Sequence, residues 1–365
     1  MINSLTGLRF FAAAAIVLTH SQMPNLIPEG TFTAFTLTGA VPLFFALSGF
    51  VLAINAPKYA STIDFYVARV ARIWPAHIAA VAFLFFIFWP YSISLLQGAD
   101  NQRHALLNIL LLQAWSPNLA TYYSLNAPAW SVSVELFFYL AFPAVLVLLS
   151  RQTWLRAGLL FIGAAVAVHL IQRKFPSLDP NWLGYINPLV NLPTFALGVA
   201  AGMTFLKQPT TRPNSTLLQL GALALACVAN VAFTQLAQRM PPGGLAYFVQ
   251  VTGPVPFYVA LIYVLAAFDG GLSRVLAKRP MTFLGEISYS LYLFHQLIFR
   301  WHSGKTWALP TWVQVLIVWA LSLAIAAASY LVIERLTRAA IKAGWRALQR
   351  PVMRSALEQG RSPAE

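Results

Sequence analysis

Apolar residues run through this chain in stretches long enough to cross a lipid bilayer, and clusters of polar residues separate them. A spanning helix needs about 20 mostly apolar residues. On that measure the pattern predicts about ten helices, over 5–24, 36–56, 73–94, 128–149, 155–172, 186–206, 216–236, 247–268, 283–302 and 311–334. Leu95 to Asn126 is too polar to span, and its segment from Ala105 to Trp115 reads as an interfacial or re-entrant helix. The other connections are short, and no internal repeat is visible. The expected fold is all-α and polytopic, with one ten-helix membrane domain over 1–340 and a basic tail over 341–365.

Composition agrees. Hydrophobic residues make up 59% of the 365, and charged residues only 9%, where soluble domains carry about a quarter. Lipid is the solvent that tolerates such a surface. The net charge of +14 does not point to nucleic acid, because Lys and Arg lie between apolar spans and form no single patch. With the N-terminus in the cytoplasm, Arg9, Lys58, Arg69, Arg72, Arg151, Lys207, Arg274 and the whole tail fall on the inner side. The outer side keeps Arg103, Arg173, Lys174, Arg239, Arg300 and Lys305, so both termini are expected to be cytoplasmic. Anionic lipid head groups or simple topogenic anchoring account for the tail's charge. Met1 to Ser4 lacks the basic start of a cleavable signal, so the first apolar run reads as a retained helix. The only cysteine, Cys227, reads as a small packed side chain.

Ionisable side chains inside a bilayer are costly and therefore functional candidates. From a rise of about 1.5 Å per residue, His20, Glu135 and His295 all fall ~8–12 Å below the outer boundary of the hydrocarbon core. Arg9 precedes His20 by eleven residues, which places both on one helix face about 16 Å apart. Arg69 and Arg72 form an i, i+3 pair at the inner mouth of the third helix, with Pro75 read as a helix-start residue. Three arginines suit a polyphosphate, although Arg69 and Arg72 also fit plain positive-inside topology. Ser131, Glu135 and Tyr139 share one face of a helix, as do Ser288, Tyr292 and His295. His77, His104, His169 and His302 read as structural, and no metal-ligating motif is present.

A histidine with a nearby carboxylate is a general-base pair. In that reading Glu135 orients His20, which takes the proton from an acceptor hydroxyl as it attacks a thioester carbonyl. Donors such as Tyr292 then steady the oxyanion. No glycine-rich phosphate loop, H-E-x-x-H or G-x-S-x-G pattern occurs.

These residues also resemble those of the acyltransferase 3 family. Leu5-Thr6-Gly7-Leu8-Arg9-Phe10 leading to His20 is similar to its opening, and Phe44 to Phe50 to its second-helix signature. Phe65, Arg69, Arg72, Ile73 and Pro75 match its third-helix motif. Trp130 to Tyr139 with Pro143 matches its mid-chain motif, and Ile287 to His295 its late one. The resemblance implies ten helices and an inner-membrane location in bacteria. It implies O-acylation of exported glycans or glycolipids, with glycan-assembly proteins as partners. It also implies acyl-CoA as co-substrate with no permanently bound cofactor, Arg9, Arg69 and Arg72 on the donor, and a catalytic His20. One departure is that the family's closing Glu-Arg-Pro reads Glu334-Arg335-Leu336 here. A glycan transporter or flippase is the competing reading, since ten helices with intramembrane charges suit that class too.

Overall fold

The structure, a computed structural model, describes residues 2–22, 26, 39–207 and 214–358. Every extended element among them is helical. A bilayer demands this, because it offers no water to satisfy unpaired backbone groups. In chain order the helices are α1 (Asn3–His20), α2 (Ala40–Asn55), α3 (Thr62–Ile87), α4 (Ala99–Ile109), α5 (Leu119–Tyr122) and α6 (Ala129–Leu149). They continue with α7 (Thr153–Lys174), α8 (Pro188–Phe205), α9 (Thr216–Gln238), α10 (Gly244–Thr252) and α11 (Val255–Ala267). The last are α12 (Gly271–Leu276), α13 (Arg279–Ser303), α14 (Thr311–Ala328) and α15 (Arg335–Glu358).

Among the described residues, eight helical stretches are long and apolar enough to cross a membrane: α2, α3, α6, α7, α8 with its preceding turn, α9, the α10–α11 pair, and α14 running into α15. This is a multi-pass membrane protein. Two expected spans, α1 and α13, fall outside that set, and both are rich in polar residues. The protein interior, not lipid, accommodates them. Nearly every residue of α13 from Ile287 to Phe299 is buried. On α7 only 11% of the spanning window is buried, and Leu155, Leu159, Ile162, Val166 and Leu170 stand exposed along one face. That face is the lipid-contacting rim. Cys227 is exposed on α9 and not packed as the sequence suggested.

Close helix approach builds the centre. At Gly285 of α13 a Cβ would lie 1.8 Å from the Thr6 carbonyl oxygen of α1, so only glycine lets these backbones meet. At Gly198 of α8 a Cβ would lie 1.9 Å from the Ala46 carbonyl of α2. The first contact presses α13, which carries His295, against α1, which carries Arg9 and His20.

Three of the differences from the sequence reading bear on the site and the helices around it. Helix α3 begins at Thr62, eleven residues before the expected start at 73, because the Ser61 hydroxyl accepts from the Asp64 N–H and caps the end. Arg69 and Arg72 are thus within the helix, and Pro75 is in its interior, not at its start. Pro75 withholds a backbone N–H there. The Tyr289 hydroxyl of α13 donates to the nearby Ile73 carbonyl at 2.9 Å. Second, the polar insert forms α4 over 99–109, earlier than the expected 105–115. It docks on the bundle: His77 bonds the Asn108 carbonyl at 2.9 Å, and the Ser133 hydroxyl donates to Leu111 O at 2.6 Å. Third, the chain does not leave helix at Glu334. A π-helical turn, Ser329–Glu334, passes directly into α15, and Leu336 provides no proline break.

Candidate active site

A cavity of about 870 Å³ opens between α1, α2, α3, α6 and α13. Arg9, Arg69, Arg72, Ser131, Glu135, Tyr139, Ser288 and Tyr292, all singled out from the sequence, line it. The helical spacings explain why. Ser131, Glu135 and Tyr139 are one turn apart on α6, and Ser288 and Tyr292 one turn apart on α13. His20 and His295 do not line it. They lie beside it, bonded to each other.

That bond departs from expectation. His20 Nδ1 and His295 Nε2 are 2.8 Å apart. Ring centroids 5.1 Å apart with planes 11° from parallel mean that the imidazoles meet edge to edge, nearly coplanar. No hydrogen bond joins His20 to Glu135. The carboxylate instead accepts from the Tyr139 hydroxyl at 2.5 Å and the Ser48 hydroxyl at 3.4 Å. It lies within electrostatic reach of Arg9 and Arg72. Depth counting put Glu135 level with His20, and the structure sets it among the arginines. Counting from a helix end fails when tilt and the true end are unknown.

The hydrogen bonds fix the tautomers. His295 Nδ1 is 2.7 Å from the Tyr292 carbonyl and 3.2 Å from the Leu291 carbonyl. Carbonyl oxygens only accept, so Nδ1 of His295 carries a proton. In the neutral ring Nε2 is then the acceptor, and His20 Nδ1 donates to it. Among the described residues this leaves the lone pair of His20 Nε2 uncommitted. His20 stays partly exposed while His295 is fully buried.

Tyr292 does not match its expected oxyanion role. Its hydroxyl is 2.9 Å from the Pro128 carbonyl and 2.7 Å from the Ser131 hydroxyl, itself 3.1 Å from that carbonyl, so its single proton is taken by Pro128 or by Ser131. At the other end, Arg69 is held by aromatic rings. It donates to the Tyr59 hydroxyl at 2.5 Å, and its guanidinium is 5.7 Å from the ring centroids of Tyr59, Phe65 and Tyr139. Its Nε is buried without a partner. Tyr59 drew no attention in the sequence, and Ser48 and Glu334 stood only within family motifs, without a role in the site. Ser48 lay within the Phe44 to Phe50 signature, in an apolar helix beside Gly49. Glu334 was visible as an acid closing an apolar span, and it is buried, accepting from the Ser290 hydroxyl at 2.6 Å and from Arg338 at 3.3 Å.

A helical membrane bundle with cationic side chains at one end of a cavity and a polarised imidazole pair beside the other is built for group transfer. Residues 2–331 match the acyltransferase domain of the acyltransferase 3 family, and the chain belongs to that family. It is an acyl-transferring enzyme. It is 30% identical over 324 residues to the acyltransferase MdmB of Streptomyces mycarofaciens, covering 82% of this chain and 79% of that one. It is 25% identical over 362 residues to nodulation protein 10 of Rhizobium leguminosarum bv. viciae, covering 91% and 92%. Against the peptidoglycan O-acetyltransferase OatA of Listeria monocytogenes the identity is 24% over 325 residues, 80% of this chain but 49% of that protein. No solved structure matches.

Proposed function

We propose that this enzyme moves an acyl group, in the simplest case acetyl, from cytosolic acyl-CoA to a hydroxyl of an exported or lipid-linked sugar at a bacterial inner membrane. The observation that carries the reading is the free lone pair of His20 Nε2 beside a cavity that begins at three arginines. The arginine end faces the cytosol, where basic loops collect. Arg9, Arg69 and Arg72 take the donor's phosphates, and the thioester arm runs along the apolar wall formed by Val41, Phe44, Phe45 and Leu47. The likeness to the peptidoglycan O-acetyltransferase OatA, and to the exopolysaccharide production protein ExoZ of Rhizobium meliloti at 25% identity over 282 residues, supports a glycan acceptor.

In the reaction, His20 Nε2 removes the hydroxyl proton as the acceptor oxygen attacks the thioester carbonyl. The C–O bond forms and a tetrahedral oxyanion appears. Its collapse breaks the C–S bond, and the thiolate takes the proton from the imidazolium. His295 accepts from His20 Nδ1 throughout, so it fixes the ring orientation as a carboxylate does in a triad. Being neutral, it stabilises the imidazolium through its dipole alone. Glu135 is assigned to balancing Arg9 and Arg72, away from the proton path.

The test is acetyl transfer by the purified protein in proteoliposomes, with donor on the Arg9 side and oligosaccharide on the other. His20→Ala is expected to lower transfer by about 10³-fold. An unchanged rate in that variant overturns the assignment.

A further inference from the structure

We propose that α15 supplies a second phosphate subsite, formed by Arg338 and Lys342 beside Arg69 and Arg72, for the donor phosphate farthest from the thioester. The proposal rests on the acyl-CoA reading above and adds a binding element to it. All of α15 lies beyond the family match, which ends at residue 331. Composition alone gave this segment only the roles of lipid contact or topological anchor.

The placement follows from hydrogen bonds. Trp345 Nε1 donates to the Asp64 carboxylate at 2.6 Å, and Gln349 Nε2 to the same oxygen at 2.9 Å. These contacts pin the far part of α15 to the first turn of α3. Glu334, at the near end, lies within electrostatic reach of Arg72. The two helices therefore run antiparallel. Arg338, Lys342, Trp345 and Gln349 recur at i, i+4, i+7 and i+11, one stripe facing α3. From Asp64 to Arg72 the rise along α3 is about 12 Å, and from Gln349 back to Arg338 along α15 about 16 Å. Arg338 thus stands level with Arg69 and Arg72, and Lys342 one turn nearer the aqueous end. The electrostatic neighbours agree: Lys342 and Arg338 each lie within reach of both Arg69 and Arg72.

The cluster is not balanced. Arg9, Arg69, Arg72, Arg338 and Lys342 gather where Glu135 and Glu334 are the acidic groups that act on them. Glu334 already accepts from Ser290 and Arg338. Two guanidinium donors, Arg69 Nε and Arg338 Nε, are buried with no partner. Like charges held together with spare donors form a receptor for a polyanion. Coenzyme A carries a diphosphate and a separate 3′-phosphate, which matches two adjacent cationic levels. The phosphate of an anionic lipid head group has the same chemistry, so the experiment separates the two sources.

Binding of coenzyme A and of 3′-dephospho-coenzyme A is measured on the full-length protein in nanodiscs, either purely zwitterionic or containing phosphatidylglycerol. The wild type is expected to prefer coenzyme A about tenfold, the scale of one charge-assisted contact. Arg338→Gln and Lys342→Gln should lose most of that preference in both lipids while binding the dephospho form as the wild type does. Asp64→Ala, which unpins α15 without removing a cation, should do the same and serves where an arginine variant does not fold. A retained preference in all three variants overturns the proposal, as does a loss confined to phosphatidylglycerol nanodiscs, which assigns the helix to lipid. Failure of the wild type to bind coenzyme A at all rejects the donor reading itself, a result distinct from the others.

Discussion

The two ends of the cavity differ in what they leave unsatisfied. At the histidine end, the bonds running from the Tyr292 carbonyl through His295 to His20 leave one lone pair over. At the arginine end, guanidinium groups crowd together with buried donors unpaired. On the proposed reading, what the first end awaits is a proton and what the second awaits is an anion. A polar cluster inside a membrane protein can therefore be classified by what it lacks. A missing proton points to chemistry, and missing negative charge points to binding.

Predictions that test this contrast run from large to small. His20→Ala removes the lone pair and should lower acetyl transfer by about 10³-fold with donor affinity retained, measured by transfer rate and by equilibrium binding. His295→Asn leaves a weaker acceptor for His20 Nδ1, so kcat should fall ~10–100-fold with donor KM unchanged. Arg72→Gln should have the opposite signature, raising donor KM about 10-fold or more with kcat nearly kept, since one charge-assisted contact is lost. Glu135→Gln decides between the carboxylate's two readings. Placed among the arginines, it should alter donor KM a few-fold and spare kcat, whereas a large loss of kcat would return it to the proton path. Least affected should be Leu159→Ala on the exposed face of α7, where thermal stability in detergent should change by less than about 0.5 kcal/mol.

Most of the bundle was legible from the sequence because the bilayer imposes a simple length rule. The spans at α6, α7, α9 and α13 were expected within a few residues of where they lie. Errors came where local chemistry overrode hydropathy. The start of α3 was missed because Ser61 and Asp64 cap a charged first turn that a search for apolar windows rejects. The continuation through Glu334 was missed because a run of basic residues resembles a tail, although nothing in Arg335 to Gln349 prevents a helix.

The candidate site divides in the same way. Period 3.6 placed Ser131, Glu135 and Tyr139 on one face, and Ser288 and Tyr292 on another, before any packing was known. The sequence alone thus determined the solvent, the class of fold and which side chains sit together on each helix. Tertiary structure alone decided that His20 meets His295 and not Glu135, that the Tyr292 hydroxyl is taken up by Pro128 and Ser131, and that α15 lies along α3. Periodicity relates residues only within one helix. Which helices touch, at what depth and in what rotation, is set by close contacts such as Gly285 against Thr6, and these arise only when the whole chain packs.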